Sequence, residues 1–252
     1  MARSPERPDV LVVIPALNEA DSVGVVVKET RAALDADILV VDDHSTDGTA
    51  GVAAAAGADV ISNVFNLGVG GAMRVGFRYA ARHGYPIVVQ VDADGQHDPR
   101  EIPALLGALQ PAAEPPLEPR IVIGARFAGT GSFSVPRARR WAMKLLAAYL
   151  SRLTGTHLTD VTSGFRAYNR ATVELFARTY PAEYLSDTVE SLVIASRVGA
   201  HVAQVPVSMR ARLAGAPSQS TWRAVTYLVR VGLMLVLEVI RTRTRPEQSE
   251  VK

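Results

Sequence analysis

The sequence predicts an α/β domain with a mostly parallel sheet and helices on both faces. Three observations carry this prediction. Short β-branched and aliphatic runs recur before residue 92, and strand and helix patterns alternate four times. The runs are apolar throughout rather than alternating, as in strands covered on both faces. Polar groups follow them: Asn18 and Glu19, Asp42 and Asp43, Asn66, then Asp92 and Asp94. In such sheets ligands bind beyond the carboxyl ends of the strands.

In chain order, Val10–Ile14 reads as a buried strand stopped by Pro15. Asn18 to Ser22 can cap a helix over about residues 21–34. Ile38–Val41 is the second strand, and Thr46–Ala56 a helix closed by Gly57. Asp59–Ile61 is a third strand, residues 70–83 a helix stopped by Gly84, and Ile87–Val91 a fourth strand. A Pro-rich loop over 111–119 precedes the strand Ile121–Ile123. A basic helix is predicted over 137–153, a helix over Leu192–Val198, a strand over Val202–Val207 and a last helix over about 221–241. This divides the chain into a domain over 1–220 and a C-terminal helix with a polar tail over 221–252.

The 252 residues carry a net charge of +2, but unevenly. Residues 1–119 hold 8 Lys/Arg against 17 Asp/Glu, whereas residues 120–252 hold 19 against 8. A basic half suits phosphate or a membrane surface. The 48% apolar content excludes disorder. The absence of cysteine excludes a disulfide framework, a thiolate nucleophile and a cysteine zinc site. Five scattered histidines give no H-E-x-x-H pattern. No apolar leader precedes the first strand, so a cytoplasmic chain is expected. The basic residues follow no nucleic-acid-binding motif, so no nucleic-acid partner is expected.

Four stretches bear chemistry. Asp92-Ala93-Asp94-Gly95-Gln96-His97 follows a buried strand. If it stays extended, Asp92, Asp94 and Gln96 share one face, and their oxygens suit a hard cation, Mg²⁺ or Mn²⁺. A solvated acidic turn that caps the next helix is the plainer reading, and the place at a strand end weighs against it. Asp42 and Asp43 can accept the ring N–H of uracil or guanine, while Thr46 and Asp47 read as helix caps. Asn66 to Arg74 is glycine-rich and opens a helix, which favours a phosphate near Gly70. It does not follow the first strand, where a dinucleotide fingerprint belongs, so an NAD fold is rejected. Arg126 and Arg212 suit phosphate through the forked guanidinium. Arg166 has two readings, phosphate contact or pairing with Asp160, and Phe165 reads as core.

Together these motifs resemble the family 2 glycosyltransferases of the GT-A fold, in particular the polyprenyl-phosphate sugar synthases. The likeness runs over about residues 9–220. It is carried in order by V-V-I-P-A-L-N-E, V-D-D-H-S-T-D-G-T, N-L-G-V-G-G-A-M-R-V-G, D-A-D-G-Q-H, G-A-R-F, D-V-T-S-G-F-R-A and V-P-V-S-M-R-A-R-L-A-G. One departure is Gly215 to Ser220, G-A-P-S-Q-S, where the family commonly has Gly-x-Ser-Lys. The resemblance implies that Pro15, Ala16, Leu17 and Glu19 line a nucleoside pocket, with Asp42 or Asp43 reading the base. It implies that Asp94 and Gln96 hold the metal, with Asp92 and Ala93 beside it, and that Arg74 neutralises diphosphate. Asp94, Arg126 and Arg212 are then the catalytic residues. Asp160, Ser163, Arg166 and Glu190 fall on the acceptor side.

The expected reaction is inverting transfer of mannose or glucose from a GDP- or UDP-sugar to polyprenyl phosphate at the inner face of the plasma membrane. An ionised lipid phosphate is already a nucleophile and needs no strong base. A soluble transferase acting on a hydroxyl would need a carboxylate base, with Glu190, Asp187 or Asp160 as candidates. A silent nucleotide-sugar-binding subunit is the third reading, against which the Asp94 and Gln96 pair argues. Val225–Ile240 is too short and too charged to span a bilayer. At about 100° per residue Arg223, Arg230 and Arg241 gather on one stripe, as in a helix lying in the interface or against a membrane-protein partner or a second subunit. The helix over 137–153 has similar basic character and suits anionic lipid, or is simply solvated.

Overall fold

The computed structural model describes residues 8–109, 118–126, 137–182 and 187–213; for Arg126 and residues 137–142 it describes the backbone alone. Most of the Pro-rich loop, the Gly215 to Ser220 segment and the expected helix over 221–241 lie outside the described residues.

Seven strands form one sheet in the order β3-β2-β1-β4-β6-β5-β7. They are β1 (Val10–Ala16), β2 (Asp37–Asp42), β3 (Asp59–Ser62), β4 (Ile87–Gln90), β5 (Arg120–Arg126), β6 (Arg166–Tyr168) and β7 (His201–Val207). The helices are α1 (Ala20–Ala33), α2 (Thr49–Ala55), α3 (Gly68–His83), α4 (Ile102–Leu109), α5 (Arg137–Thr154), α6 (Arg170–Thr179) and α7 (Asp187–Arg197). β1, β2, β3 and β4 are mutually parallel, and β5 pairs parallel with β7. β6 runs antiparallel to both of its neighbours. The expected α/β architecture with a mostly parallel sheet is therefore present.

The apolar runs bury both faces of the strands. Val12, Ile14, Ile38 and Val40 join a core with Val23, Val26 and Val27 of α1 and Ile102, Leu105 and Leu109 of α4. Residues of opposite parity face α3, where Gly76 lies against Val13: a Cβ on Gly76 would sit 2.5 Å from the Val13 Cγ1. Behind α3, Phe77 packs edge-on to Tyr168 and Phe176 at centroid distances of 5.0 and 5.3 Å. Such geometry adds about 0.5–1.5 kcal/mol per pair beyond area burial.

Several boundaries differ from expectation for identifiable reasons. β1 runs through Pro15 to Ala16. Its pairing with β4 ends at Val13, whose carbonyl accepts from Val91 N. Pro15 faces the same side two residues on, where no partner needs its missing N–H. α2 begins at Thr49 rather than Thr46, because Gly48 is left-handed at φ 85°. α3 begins at Gly68 and stops at left-handed Gly84, φ 77°. α7 begins at Asp187, five residues before the expected start. β6 and α6 have no counterpart in the sequence prediction. β6 is three residues, Arg-Ala-Tyr, and offers no apolar run to read.

Candidate active site

All the strand ends that carry polar motifs meet at one edge of the sheet. β1, β2 and β4 deliver their loops there directly. Because β6 is antiparallel, with Arg166 opposite Gln90, the residues before Arg166 emerge at the carboxyl end of β4. β7, parallel to β5, sends residues 208–213 back over the same edge.

The first two loops are knit together. Asn18, with φ 53°, accepts from Thr46 N at 2.9 Å through its side chain, and its own N–H donates to the Ser45 Oγ at 2.9 Å. Asn18 therefore ties two loops rather than capping α1. Asp47 accepts from Ala20 N at 3.1 Å and from Thr49 N at 3.1 Å, so it anchors the starts of α1 and α2. Pro15 and Ala16 are buried at the end of β1, and Leu17 is half-buried.

Asp42 and Asp43, equivalent in the sequence, have different tasks. Asp43 is buried and accepts from Asn63 Nδ2 at 2.8 Å, Leu67 N at 2.9 Å and Gly68 N at 2.7 Å. Its carboxylate holds the start of α3. A carboxylate of the protein's own thus sits at that helix N-terminus. Gly70 is buried in the first turn, and its neighbour Gly71 makes room for Leu67, 2.3 Å from a Cβ built there. Asp42 accepts from Ser45 N at 3.1 Å. Arg74 donates to the Arg178 carbonyl at 3.2 Å, which fastens α3 to α6.

The Asp92–Asp98 segment is a turn, not an extended strand. Gly95 is left-handed at φ 76°, and the Asp94 Oδ1 accepts from Gln96 N at 2.9 Å. Asp92 and Asp94 consequently have different environments, with side chains 40% and 9% exposed. Ala93 is buried between them. The Asp94 Oδ2 meets Arg212 at 2.8 Å, and the other arm of Arg212 lies 3.4 Å from the Glu19 Oε1. The Glu19 Oε2 accepts from the Ser22 hydroxyl at 2.7 Å. Burial raises the Glu19 carboxyl above its ordinary value, with Ser22 and Arg212 pulling it back down.

Two residues support this site: His97, read from the sequence as lining the rim of the Asp92–Gln96 motif, and Arg210, to which the sequence reading gave no role. His97 is 3% exposed, and its Nδ1 accepts from Asp92 N at 3.0 Å. That leaves the proton on Nε2, 3.6 Å from the Asp92 Oδ2. The ring stacks on Phe165 at 4.8 Å, so it holds the Asp92–Asp98 turn against the segment that precedes β6. Arg210 bridges the Asp98 Oδ1 at 2.6 Å and the Glu29 Oε2 at 2.5 Å. Arg100 chiefly, with Arg210, lowers the Asp98 carboxyl to about 2. The sequence signals were the histidine five residues after Asp92 and the second arginine two before Arg212.

The acceptor-side residues divide. Arg166 is fully buried, and its guanidinium donates to the carbonyls of Ser163, Thr188 and Val161 and to the Ser191 hydroxyl. It neither meets solvent nor pairs with Asp160; it pins the Val161–Ser163 turn to α7. The Ser163 hydroxyl, also buried, accepts from Phe165 N at 3.3 Å and belongs to the same turn. Gly164 lets that turn approach Asp92: an added Cβ would sit 3.1 Å from the Asp92 Oδ1. Asp160, buried, accepts from the Thr162 hydroxyl, and Glu190 is half-buried in the first turn of α7. The side chain of Arg126 lies outside the described residues, although its backbone closes β5 opposite Val207.

The comparisons with known proteins agree with this geometry. The family described as Glycosyl transferase family 2 matches residues 11–176. An undecaprenyl-phosphate mannosyltransferase of Micrococcus luteus is 31% identical over 245 residues, 93% of this chain and 98% of that protein. A polyprenol monophosphomannose synthase of Mycolicibacterium smegmatis is 36% identical over 172 residues, covering 65% of this chain and 63% of that one. Among solved structures, glucosyl-3-phosphoglycerate synthase from Mycobacterium tuberculosis, in complex with Mn²⁺, UDP and phosphoglyceric acid, superposes with a TM-score of 0.68 at 25% identity, over 95% of this chain and 80% of that one. The sheet order, the polar edge and these matches lead to one assignment: the chain belongs to glycosyltransferase family 2 and has the GT-A fold.

Proposed function

We propose that this chain transfers mannose or glucose, with inversion, from a GDP- or UDP-sugar to polyprenyl phosphate. The observation that carries the reading is the Glu19–Arg212–Asp94 cluster, which gathers the donor-side motifs of three separate segments at one sheet edge. The names of the Micrococcus luteus and Mycolicibacterium smegmatis relatives support a lipid-phosphate acceptor. The Mycobacterium tuberculosis structures support a divalent cation beside a nucleoside diphosphate.

The donor set fits such a cation. Asp92 and Asp94 offer carboxylate oxygens and Gln96 an amide oxygen, all hard ligands. Among the described residues no group of three or more His, Cys, Asp or Glu could hold a metal by itself. Diphosphate oxygens and water would therefore complete the shell, as is usual for Mg²⁺. When bound, the ion supplies charge for the departing nucleoside diphosphate. Pro15, Ala16, Leu17 and Glu19 would border the nucleoside, and Asp42 would accept from the base. Arg212, together with Arg126, would take diphosphate or acceptor phosphate oxygens. Asp92, steadied by His97, would lie nearest the acceptor turn at Gly164. Asp160 and Glu190 are the remaining acceptor-side candidates.

The acceptor chemistry places the reaction at a membrane surface, in this reading the inner face. No helix among the described residues is long and apolar enough to cross a membrane. The expected C-terminal helix over about 221–241 would then provide a contact with lipid, a membrane-protein partner or a second copy.

The test is transfer from a panel of GDP- and UDP-sugars with Mg²⁺ or Mn²⁺, offered polyprenyl phosphate or a hydroxyl acceptor. Product on the lipid phosphate is expected; product only on hydroxyls would overturn the acceptor assignment. Asp94→Ala should lower turnover at least about a hundredfold, and near-native activity would remove the metal role.

A further inference from the structure

We infer that Arg212 is the resident counter-ion of the Glu19–Asp94 carboxylate pair, so that a divalent cation and a diphosphate bind together far better than the cation binds alone. The inference rests on the donor-site reading above.

The Asp94 oxygen that a cation would need is the one Arg212 holds, Oδ2 at 2.8 Å. The other Asp94 oxygen is committed to Gln96 N at 2.9 Å. A cation approaching Oδ2 therefore meets a guanidinium on the same atom. The guanidinium does not simply drift off, because the arm that carries it is fastened on both sides. Arg210 N donates to the Gln96 carbonyl at 2.9 Å, and Leu213 N donates to the Asp94 carbonyl at 3.0 Å. The Arg210 side chain is locked between Glu29 and Asp98. Leu213 lies over Gly95, 2.4 Å from a Cβ built there. Within this frame the Arg212 side chain is 24% exposed and can be reached by a ligand.

A diphosphate offers the guanidinium two oxyanions in the forked geometry it binds best. Rotation of Arg212 onto those oxygens frees the Asp94 Oδ2 without leaving either charge unpaired. The cation then shares Asp94 and the diphosphate. The coupling is reciprocal: whatever factor the diphosphate lends the cation, the cation lends the diphosphate. Arg212 acts here as a positioning residue on Asp94, in addition to any contact it makes with phosphate.

Mn²⁺ binding, read from the loss of its free EPR signal, tests this without catalysis. UDP or GDP should tighten Mn²⁺ binding to the native chain about tenfold or more. Arg212→Gln should bind Mn²⁺ alone about tenfold more tightly than the native chain and show a nucleotide effect smaller by about that factor, the remainder coming from direct diphosphate coordination. Arg212→Lys, which keeps the charge but not the fork, should hold nucleotide-free Mn²⁺ affinity close to native and show a weakened nucleotide effect. Leu213→Ala, which only loosens the arm, should move nucleotide-free affinity in the direction of Arg212→Gln. Unchanged or weaker Mn²⁺ binding in Arg212→Gln, with the nucleotide effect intact, overturns the inference and leaves the donor site standing. Mn²⁺ binding that is undetectable in every form, with or without nucleotide, overturns both.

Discussion

Asp43 and Asp94 are both carboxylates at strand ends, and their partners set them apart. Among the described residues, Asp43 accepts from groups of its own scaffold: Asn63, Leu67 and Gly68. Removing it leaves those donors without an acceptor at a buried helix start. Asp43→Ala should therefore cost about 2–4 kcal/mol in urea unfolding, well beyond an ordinary surface change. Asp94 instead pairs with a partly exposed arginine. Arg166 makes the same point on the acceptor side. Its sequence neighbourhood suggested phosphate or Asp160, yet three carbonyls and a hydroxyl take four of its five N–H donors. The residue type was legible; the identity of its partners was not, because two of them, Thr188 and Ser191, come from α7, more than twenty residues downstream.

At the scale of elements, α3 shows why the glycine-rich stretch is there. Gly71 and Gly76 admit Leu67 and Val13, so the helix can lie close against β1 and the preceding turn. Gly76→Ala would press a methyl group into Val13 at 2.5 Å. It should destabilise the fold by about 1–3 kcal/mol despite the better helix propensity of alanine, as thermal or urea unfolding would show. An equal or higher stability would mean that α3 has room to shift. The long, strongly apolar elements were readable because their pattern is local: β1, β2, β4, α1 and α3 all lie within a few residues of expectation. β6 was not, since three residues carry no periodicity. Its assignment as a strand depends on hydrogen bonds from β4 and β5 on either side.

Over the whole molecule, two buried carboxylates should shape the pH dependence of stability in opposite senses. Asp187 is raised to about 6, by burial first, with Arg166 opposing. Its Oδ2 has no hydrogen-bond partner among the described residues. Because the folded value exceeds the unfolded one, its advantage is complete below about pH 4 and is lost as pH rises through about 6. Asp98, lowered to about 2, contributes above about pH 4 and loses that contribution as pH falls towards 2. Asp187→Asn should thus raise stability at pH 7 by about 1–2 kcal/mol and flatten the slope between pH 4 and 6 in urea titrations. A slope that persists in the variant would assign it to another group. The sequence by itself determined the α/β class, the family and the donor motifs, because strand periodicity, caps and short motifs are properties of neighbouring residues. The tertiary structure alone decided which of those polar residues are free to meet a ligand. An antiparallel β6 folds the acceptor turn back beside Asp92, and β7 returns Arg210 and Arg212 to a loop more than a hundred residues away. Whether a carboxylate or guanidinium is spent on the scaffold or left for substrate depends on such distant partners, since each buried charge must be matched wherever the chain brings its match.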